Sequence, residues 1–193
     1  MKKVFKDLIP EYLREGLQIL KGKKIYTNEF NKTKSIFIHI PKCAGTSIGD
    51  AIYGDRKIGH YTVEDFFYIN KQKYKKYYKF TVIRDPIDRC YSAFNYLKSD
   101  KCTKKDKIFR DKYLVDYLNF NDFILNGLSQ KKIILNYIHF KPQIDFLILN
   151  GKLSVNHIFL LEDLSNNFFY LQKKFLINTK LKRLNNTINQ KKK

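Results

Sequence analysis

The chain has few cysteines and no long apolar run, and both absences narrow the classes of protein it can belong to. Its cysteines, Cys43, Cys90 and Cys102, are odd in number and form no C-x-x-C pair, so they indicate neither a disulfide framework nor a zinc site and favour a reducing compartment. No window approaches the ~18 apolar residues of a membrane-spanning helix, and charged residues and Pro10 interrupt any signal-peptide core. We expect a soluble, cytoplasmic protein with at most peripheral membrane contact.

Acidic residues are also scarce, which leaves the chain strongly basic. It has 18 Asp and Glu against 38 Lys and Arg, a formal net charge of +20 over 193 residues. Such an excess predicts an anionic partner: a nucleic acid, a nucleotide, an acidic polysaccharide or a membrane surface. Apolar residues at 44% and aromatic residues at 16% are typical of a folded protein, and this length predicts one domain with a sizeable core.

Residues 35–50 have the pattern of a strand, a tight basic turn and a helix start. Ile36–Ile40 is an apolar, β-branched run with one histidine, which predicts a short buried strand ending at Pro41. The turn combines one cation with small and hydroxyl residues, namely Lys42, Cys43, Ala44, Gly45, Thr46 and Ser47. Such a turn at a helix start offers backbone N–H groups to an anion and predicts a phosphate site, although an ordinary strand-to-helix connection is the alternative.

A second buried strand is predicted at Phe80–Ile83, where the run FTVI leads directly into Arg84. Asp85 can cap a following helix and Pro86 suits its first position. Arg84 is therefore expected at a strand end, with Ser92 two turns into the next helix.

A third strand is predicted at His157–Leu161, followed by Glu162 and a last helix to about Leu176. Strands that alternate with helices predict an α/β layered domain with a mainly parallel sheet. Ligands bind at the carboxyl ends of the strands in such sheets. Lys42, Arg84 and Glu162 are thus expected at one edge.

The remaining segments give weaker patterns. We predict a basic leader at 1–34 with a helix from about 10 to 21 and then a loop, a main domain at 35–180, and a basic, partly disordered tail at 181–193. Within the main domain, Thr62 is predicted to cap a helix to about Tyr68, the charged segment 98–111 to form a surface loop, and helices to lie at about 112–127 and 130–139.

Two motifs, PKCAGTS from Pro41 and RDPIDRCYS from Arg84, resemble the cofactor signature of sulfotransferases that use 3′-phosphoadenosine 5′-phosphosulfate (PAPS). HYTVEDF at His60, HFKPQ at His139 and LLEDL near Glu162 are similar to the carbohydrate-type branch of that superfamily. The motifs follow the family's order over most of the chain. The resemblance implies a P-loop NTPase-like three-layer domain that transfers a sulfuryl group from PAPS to a hydroxyl, with a carbohydrate as the favoured acceptor and a tyrosyl or small-molecule acceptor left open.

The resemblance also implies roles for individual residues. The turn, with Lys42 as its catalytic cation, would bind the 5′-phosphosulfate, and Arg84 and Ser92 the 3′-phosphate; no metal is required. Among the four histidines, His60 is expected to be the general base or to orient the acceptor, against a structural role. His139 and Gln143 are further acceptor-side candidates, although a helix-end histidine can instead cap carbonyls.

Two other functions compete with this one. The first is a nucleotide or small-molecule kinase on a related phosphate-binding fold. It requires G-x-x-x-x-G-K-[ST], whereas Lys42 precedes Thr46 by four residues. The second is a basic nucleic-acid-binding protein that would use the alternating lysines and tyrosines of 71–79 and the lysine-rich tail. No recognised nucleic-acid motif supports it.

Overall fold

The described part of the chain, residues 25–128 and 130–182 of a computed structural model, contains a three-stranded parallel sheet with helices around it. The strands are β1 (Ser35–Ile38), β2 (Tyr78–Ile83), β3 (Ile148–Leu149), β4 (Lys152–Leu153) and β5 (His157–Leu160). The helices are α1 (Asn28–Thr33), α2 (Gly45–Ile48), α3 (Val63–Ile69), α4 (Lys71–Lys76), α5 (Pro86–Lys98), α6 (Lys104–Tyr113), α7 (Phe120–Asp122), α8 (Lys132–Leu135) and α9 (Leu164–Phe175). Short π-helical segments extend α2 over Gly49–Tyr53 and α7 over Phe123–Leu128, and Gln143–Phe146 forms a 3₁₀ turn.

The main sheet has the order β1–β2–β5, with β2 in the centre and parallel to both neighbours. Phe37 pairs with Phe80 in one ladder, and Thr81 pairs with Ile158 in the other. Every residue of β1 is buried, as expected for a parallel strand covered on both faces. The mixed α/β class, the mainly parallel sheet and the three predicted strands are confirmed, although the strand bounds differ. β1 covers Ser35–Ile38 where Ile36–Ile40 was predicted, β2 begins two residues earlier than predicted, at Tyr78, and β5 ends one residue earlier, at Leu160.

The carboxyl ends of β2 and β5 meet at one edge of the sheet. The Glu162 carboxylate, just after β5, accepts a hydrogen bond of 3.0 Å from the backbone N–H of Asp85, just after β2. Asp85 also caps α5 by accepting from the N–H groups of Ile87 and Asp88, with Pro86 in the first turn. The predicted common edge and the predicted cap are both confirmed.

Among the described residues, two clusters of buried apolar side chains form the core. The first lies around the main sheet and includes Phe37, Phe80 and Phe159. The second lies among the middle helices and includes Phe94 and Phe123. No helix among the described residues is long and apolar enough to cross a bilayer.

The middle of the chain departs from its predicted secondary structure. The charged segment 98–111, predicted to be a surface loop, contains most of α6, because Thr103 and Asp106 form a capping box at its start. The helix predicted over 112–127 is interrupted: α6 ends at Tyr113, and α7 starts at Phe120 under an Asn119 cap. The helix predicted over 130–139 is reduced to the single turn of α8.

The segment before β1 also departs from prediction in its described part. A loop was expected up to residue 34, but Thr27 caps the short helix α1, and Phe30 packs in the first cluster. The helix predicted over 10–21 and most of the predicted tail lie outside the described residues. The division at 35 and 181 remains a prediction.

The alternating lysines and tyrosines of 71–79 form α4 and the start of β2. Tyr74 and Tyr77 are buried, and the Lys79 ammonium donates to their backbone carbonyl oxygens at 2.9 and 2.8 Å. This stretch is therefore a basic helix that leads into a strand.

Candidate active site

The turn between β1 and α2 has an unusual backbone. Lys42 and Ala44 have φ values of 69° and 56°, in the left-handed region that non-glycine residues seldom adopt. The Cys43 N–H donates to the Ile40 carbonyl at 3.3 Å, which closes the turn. Ala44, the N-cap residue of α2, supplies no side-chain cap. The first-turn amides, together with the helix dipole, therefore suit an anion.

Gly45 is required at the start of α2 because the His39 imidazole lies directly against it. A Cβ atom built on Gly45 would lie 1.7 Å from His39 Nε2. The other ring nitrogen, Nδ1, is 2.8 Å from the Ile58 carbonyl oxygen. Burial, followed by the nearby His60, lowers the pKa of His39 to about 3, so this ring is a neutral support beneath the turn.

Lys42 points its ammonium at an aromatic face. Its Nζ lies 4.3 Å from the centroid of the Tyr96 ring on α5, a cation–π arrangement. Burial, and then the positive charge of Arg84, lower the pKa of Lys42 to about 8. Lys42, after β1, and Arg84, after β2, are therefore close enough for their charges to interact.

Arg84 is held through its backbone by Gln143. The Gln143 amide accepts from the Arg84 N–H at 3.0 Å and donates to the Arg84 carbonyl at 2.8 Å. The same amide oxygen lies 3.4 Å from the Cys43 thiol, and burial raises the pKa of that thiol to about 12. Gln143 thus joins the turn to the end of β2. Ser92, on α5, is 3% exposed.

Thr46 and Ser47 lie in the single turn of α2, directly after the left-handed Ala44. Ser47 is buried and Thr46 is half-buried. Their hydroxyls therefore belong to the same short segment as the amides of the turn.

His60 lies beside His39, with ring centroids 4.2 Å apart. Its Nδ1 is 3.0 Å from the His39 carbonyl oxygen. Because a carbonyl only accepts, Nδ1 must be the protonated nitrogen, which leaves Nε2 with a lone pair. Burial lowers the pKa of His60 to about 4, so the ring is neutral at physiological pH. Glu64, in the first turn of α3, is exposed.

His139 joins this group from a distant part of the chain. Its ring centroid lies 6.3 Å from that of His60 and 5.1 Å from that of Tyr96. Its Nε2 is 3.2 Å from the Asp106 carboxylate. Its backbone carbonyl accepts from the buried Arg89 guanidinium at 3.1 Å. The structure thus brings together both histidines that the sequence analysis selected for the acceptor side.

Asp106 and Tyr96 belong to this site, but neither is among the residues predicted from the sequence. Burial alone would raise the pKa of Asp106, but hydrogen bonds from His139, Thr103 and Tyr137 outweigh it and hold the pKa well below its usual range. The T-x-x-D spacing from Thr103 was a usable signal, because it marks a capping box. No sequence signal indicated that Tyr96 would lie beneath Lys42.

The described residues contain no group of three or more His, Cys, Asp or Glu side chains that could hold a metal ion. What the site does offer is an anion-suited turn, two neighbouring cations at strand ends, and neutral imidazoles with lone pairs. Those parts can bind a doubly phosphorylated donor and accept a proton from a second substrate.

Comparison with known protein families gives a match. The model described as the sulfotransferase family matches residues 26–193. This range includes every helix and strand given above. No curated protein and no solved structure matches the chain. Because the match covers far more than half of its length, the chain belongs to the sulfotransferase family.

Proposed function

We propose that this protein transfers a sulfuryl group from PAPS to a hydroxyl, most suitably of a carbohydrate, on a P-loop NTPase-like three-layer fold. Sulfotransferases of this family generally use PAPS as the donor. The observation that carries the proposal is the pairing of the left-handed Lys42 turn with Arg84 at the end of the adjacent parallel strand. PAPS bears anionic groups at two positions, and this arrangement supplies a cation for each.

On the donor side, the amides of the turn and the hydroxyls of Thr46 and Ser47 would bind the phosphosulfate oxygens. Arg84, with its backbone held by Gln143, would bind the 3′-phosphate together with Ser92. Arginine suits this role because its planar guanidinium can donate two parallel hydrogen bonds to a phosphate.

On the acceptor side, His60 would act as the general base. Its Nε2 lone pair takes the proton of the acceptor hydroxyl while the acceptor oxygen forms its bond to sulfur. The bond between sulfur and the bridging oxygen breaks, and the electron pair stays on the departing phosphate. Lys42 stabilises that growing negative charge, an effect that is strong in a partly buried site.

The favoured acceptor class is an anionic carbohydrate. The net charge of +20 suits a polymer that carries carboxylate or sulfate groups. A tyrosyl or small-molecule hydroxyl is the other acceptor class. Nucleic-acid binding through residues 71–79 is disfavoured because Tyr74 and Tyr77 are buried and offer no stacking platform for bases.

Ligand-dependent melting tests the donor site. We expect 3′-phosphoadenosine 5′-phosphate (PAP) to raise the melting temperature more than ATP does, because ATP lacks the 3′-phosphate. Lys42→Ala should weaken this stabilisation, whereas Lys75→Ala, which removes an exposed lysine of α4, should not. Equal stabilisation by ATP with Mg²⁺ would favour a kinase. A steeply salt-dependent affinity for DNA without any response to PAP would favour a nucleic-acid-binding protein.

Transfer of labelled sulfate from PAPS to a panel of glycans, with mass mapping of the product, tests the reaction and identifies the acceptor. His60→Ala should lower kcat by about 10²- to 10⁴-fold, the usual contribution of a general base. PAP binding should remain, because His60 is assigned to the acceptor side. An unchanged transfer rate in this variant would remove the base assignment.

A further inference from the structure

Asp106 is a buried carboxylate with a complete set of donors. It is 5% exposed. One oxygen, Oδ2, accepts from the Thr103 N–H at 3.2 Å, the Thr103 hydroxyl at 2.6 Å and the Tyr96 hydroxyl at 3.1 Å. The other, Oδ1, accepts from the Tyr137 hydroxyl at 2.6 Å and faces His139 Nε2 at 3.2 Å. An ionised carboxylate can only accept, so each of these partners must donate.

This constraint determines which nitrogen of His139 faces Asp106 as a donor. Its Nε2 must carry a proton to donate to Asp106, and in the neutral ring Nδ1 is then left with a lone pair. The His139 side chain is about nine-tenths buried, at 9% exposure. Yet Nδ1 has no hydrogen-bond partner among the described residues. Buried polar atoms are seldom left unpaired, so a partner that binds there is the natural explanation.

In their neutral forms, His60 and His139 are therefore held in opposite tautomers. His60 is protonated at Nδ1 by its bond to the His39 carbonyl, and His139 is protonated at Nε2 by its bond to Asp106. The two rings lie edge to face with centroids 6.3 Å apart. In each ring the remaining nitrogen is left as an acceptor, in a site where Lys42 is a nearby cation.

We propose that Asp106 is a positioning residue that keeps the His139 Nδ1 lone pair available to accept a hydrogen bond from a hydroxyl of the acceptor, opposite His60. The inference rests on the proposed function and assigns a second contact to a hydroxyl-bearing substrate such as a sugar. The charged and titratable groups around His139 include Asp106 on α6, His39 and His60 before α3, Lys42 in the turn, Arg89 and Tyr96 on α5, and Tyr137.

Asp106→Asn is the informative variant because its outcome follows from the donors. The Thr103 N–H can only donate, so the Asn oxygen must take the Oδ2 place, and its NH₂ group then faces Tyr137 and His139. His139 Nε2 must become the acceptor. The proton moves to Nδ1, and the lone pair available to the substrate is lost.

Nitrogen NMR of histidine-labelled protein tests this without any substrate. In the wild type we expect His139, identified by its loss in His139→Gln, to be protonated on Nε2 and unprotonated on Nδ1, with the reverse for His60. In Asp106→Asn, His139 should be protonated on Nδ1 and unprotonated on Nε2. A wild-type His139 protonated on Nδ1, or a pattern unchanged by Asp106→Asn, would overturn the proposal. The wild-type spectrum decides it even where the variant fails to fold.

Sulfate transfer to unsulfated chondroitin, an acidic polysaccharide with free hydroxyls, gives the functional readout. Asp106→Asn should lower kcat/KM for chondroitin by about 10- to 100-fold, the usual cost of an unpaired buried polar group, and leave the KM for PAPS unchanged. Thr103→Val is the matched control. It removes a donor from the opposite oxygen and weakens the same helix cap, so it should lower the melting temperature but leave the His139 tautomer and kcat/KM unchanged.

The proposed function and the role of Asp106 can be tested separately. If PAP does not stabilise the wild type, the proposed function fails. If PAP stabilises it but the His139 tautomer is the opposite one, or Asp106→Asn lowers transfer no more than Thr103→Val, then only the role of Asp106 fails.

Discussion

Lys42 should make PAP binding depend on pH between 7 and 9. Burial and the charge of Arg84 lower its pKa to about 8, and only the protonated form attracts a phosphate. Raising the pH from 7 to 9 should therefore deprotonate most of Lys42 in the free protein. His60 and Cys43, with pKa values of about 4 and about 12, keep their protonation states across this interval.

The size of the effect follows from the protonated fraction of Lys42. With a pKa of about 8, roughly 90% of the protein is protonated at this site at pH 7 and roughly 10% at pH 9. The apparent Kd is the intrinsic Kd divided by the competent fraction. The Kd for PAP should therefore rise about tenfold. A bound phosphate raises the pKa of Lys42 and keeps it protonated in the complex. The ligand's own phosphates, with a second pKa near 6, are already ionised at pH 7.

Calorimetric titration with PAP at pH 7, 8 and 9 and constant ionic strength measures this dependence. Lys42→Arg provides the reference because arginine stays charged throughout, so its Kd should be nearly independent of pH. Lys75→Ala should follow the wild-type curve. If the wild-type Kd were as flat as that of Lys42→Arg, the inference that a half-buried Lys42 faces the donor would be wrong.

Three further variants test the supports of the site. Gly45→Ala forces a Cβ onto the His39 ring, so it should destabilise the protein by about 1–3 kcal/mol and weaken PAP binding. Gly54→Ala is the control: its Cβ meets nothing within 4 Å, so it should cost only the penalty of a left-handed backbone, about 1–2 kcal/mol. Denaturant unfolding compares the stabilities of the two variants. Gln143→Leu removes both bonds to the Arg84 backbone and should weaken PAP binding about tenfold by calorimetry, and unchanged affinity would contradict the clamp. The pKa of His39 is lowered to about 3, so the stability that its neutral ring contributes is full above pH 6.5 and falls as the pH drops. At pH 5 the free energy of unfolding should have decreased by about 2 kcal/mol. Urea unfolding measures this, and a decrease in His39→Gln as large as in the wild type would contradict it.

The elements of the proposed donor side could be placed from the sequence because they are local in the chain. A strand, a turn and a helix start occupy consecutive residues around Lys42, and Asp85 and Pro86 fix the start of α5 through contacts within one helical turn. Parallel pairing then brings these strand ends together without further information. Short-range patterns and one topological rule were sufficient.

The acceptor side could not be assembled in the same way, because its contacts join distant residues. Asp106 and His139 are 33 positions apart, and the ring of His60 is set by a backbone carbonyl 21 positions earlier. A lysine-rich segment around Asp106 predicts exposure, and only the full set of donors offsets the cost of burying that carboxylate. Such a set exists only after α5, α6 and the segment before Gln143 have packed.

His39 explains how the two sides of the site are coupled. Its ring lies against Gly45 in the Lys42 turn, and its carbonyl sets the tautomer of His60. One residue after β1 therefore shapes both the proposed donor site and the proposed base. The charge of Lys42 also helps to lower the pKa of His60. An anionic donor would neutralise that charge and add its own, so the pKa of His60 should rise when the donor binds. A base that is weak in the free protein and stronger beside the donor would take the acceptor's proton only when a sulfuryl group is present to receive the oxygen.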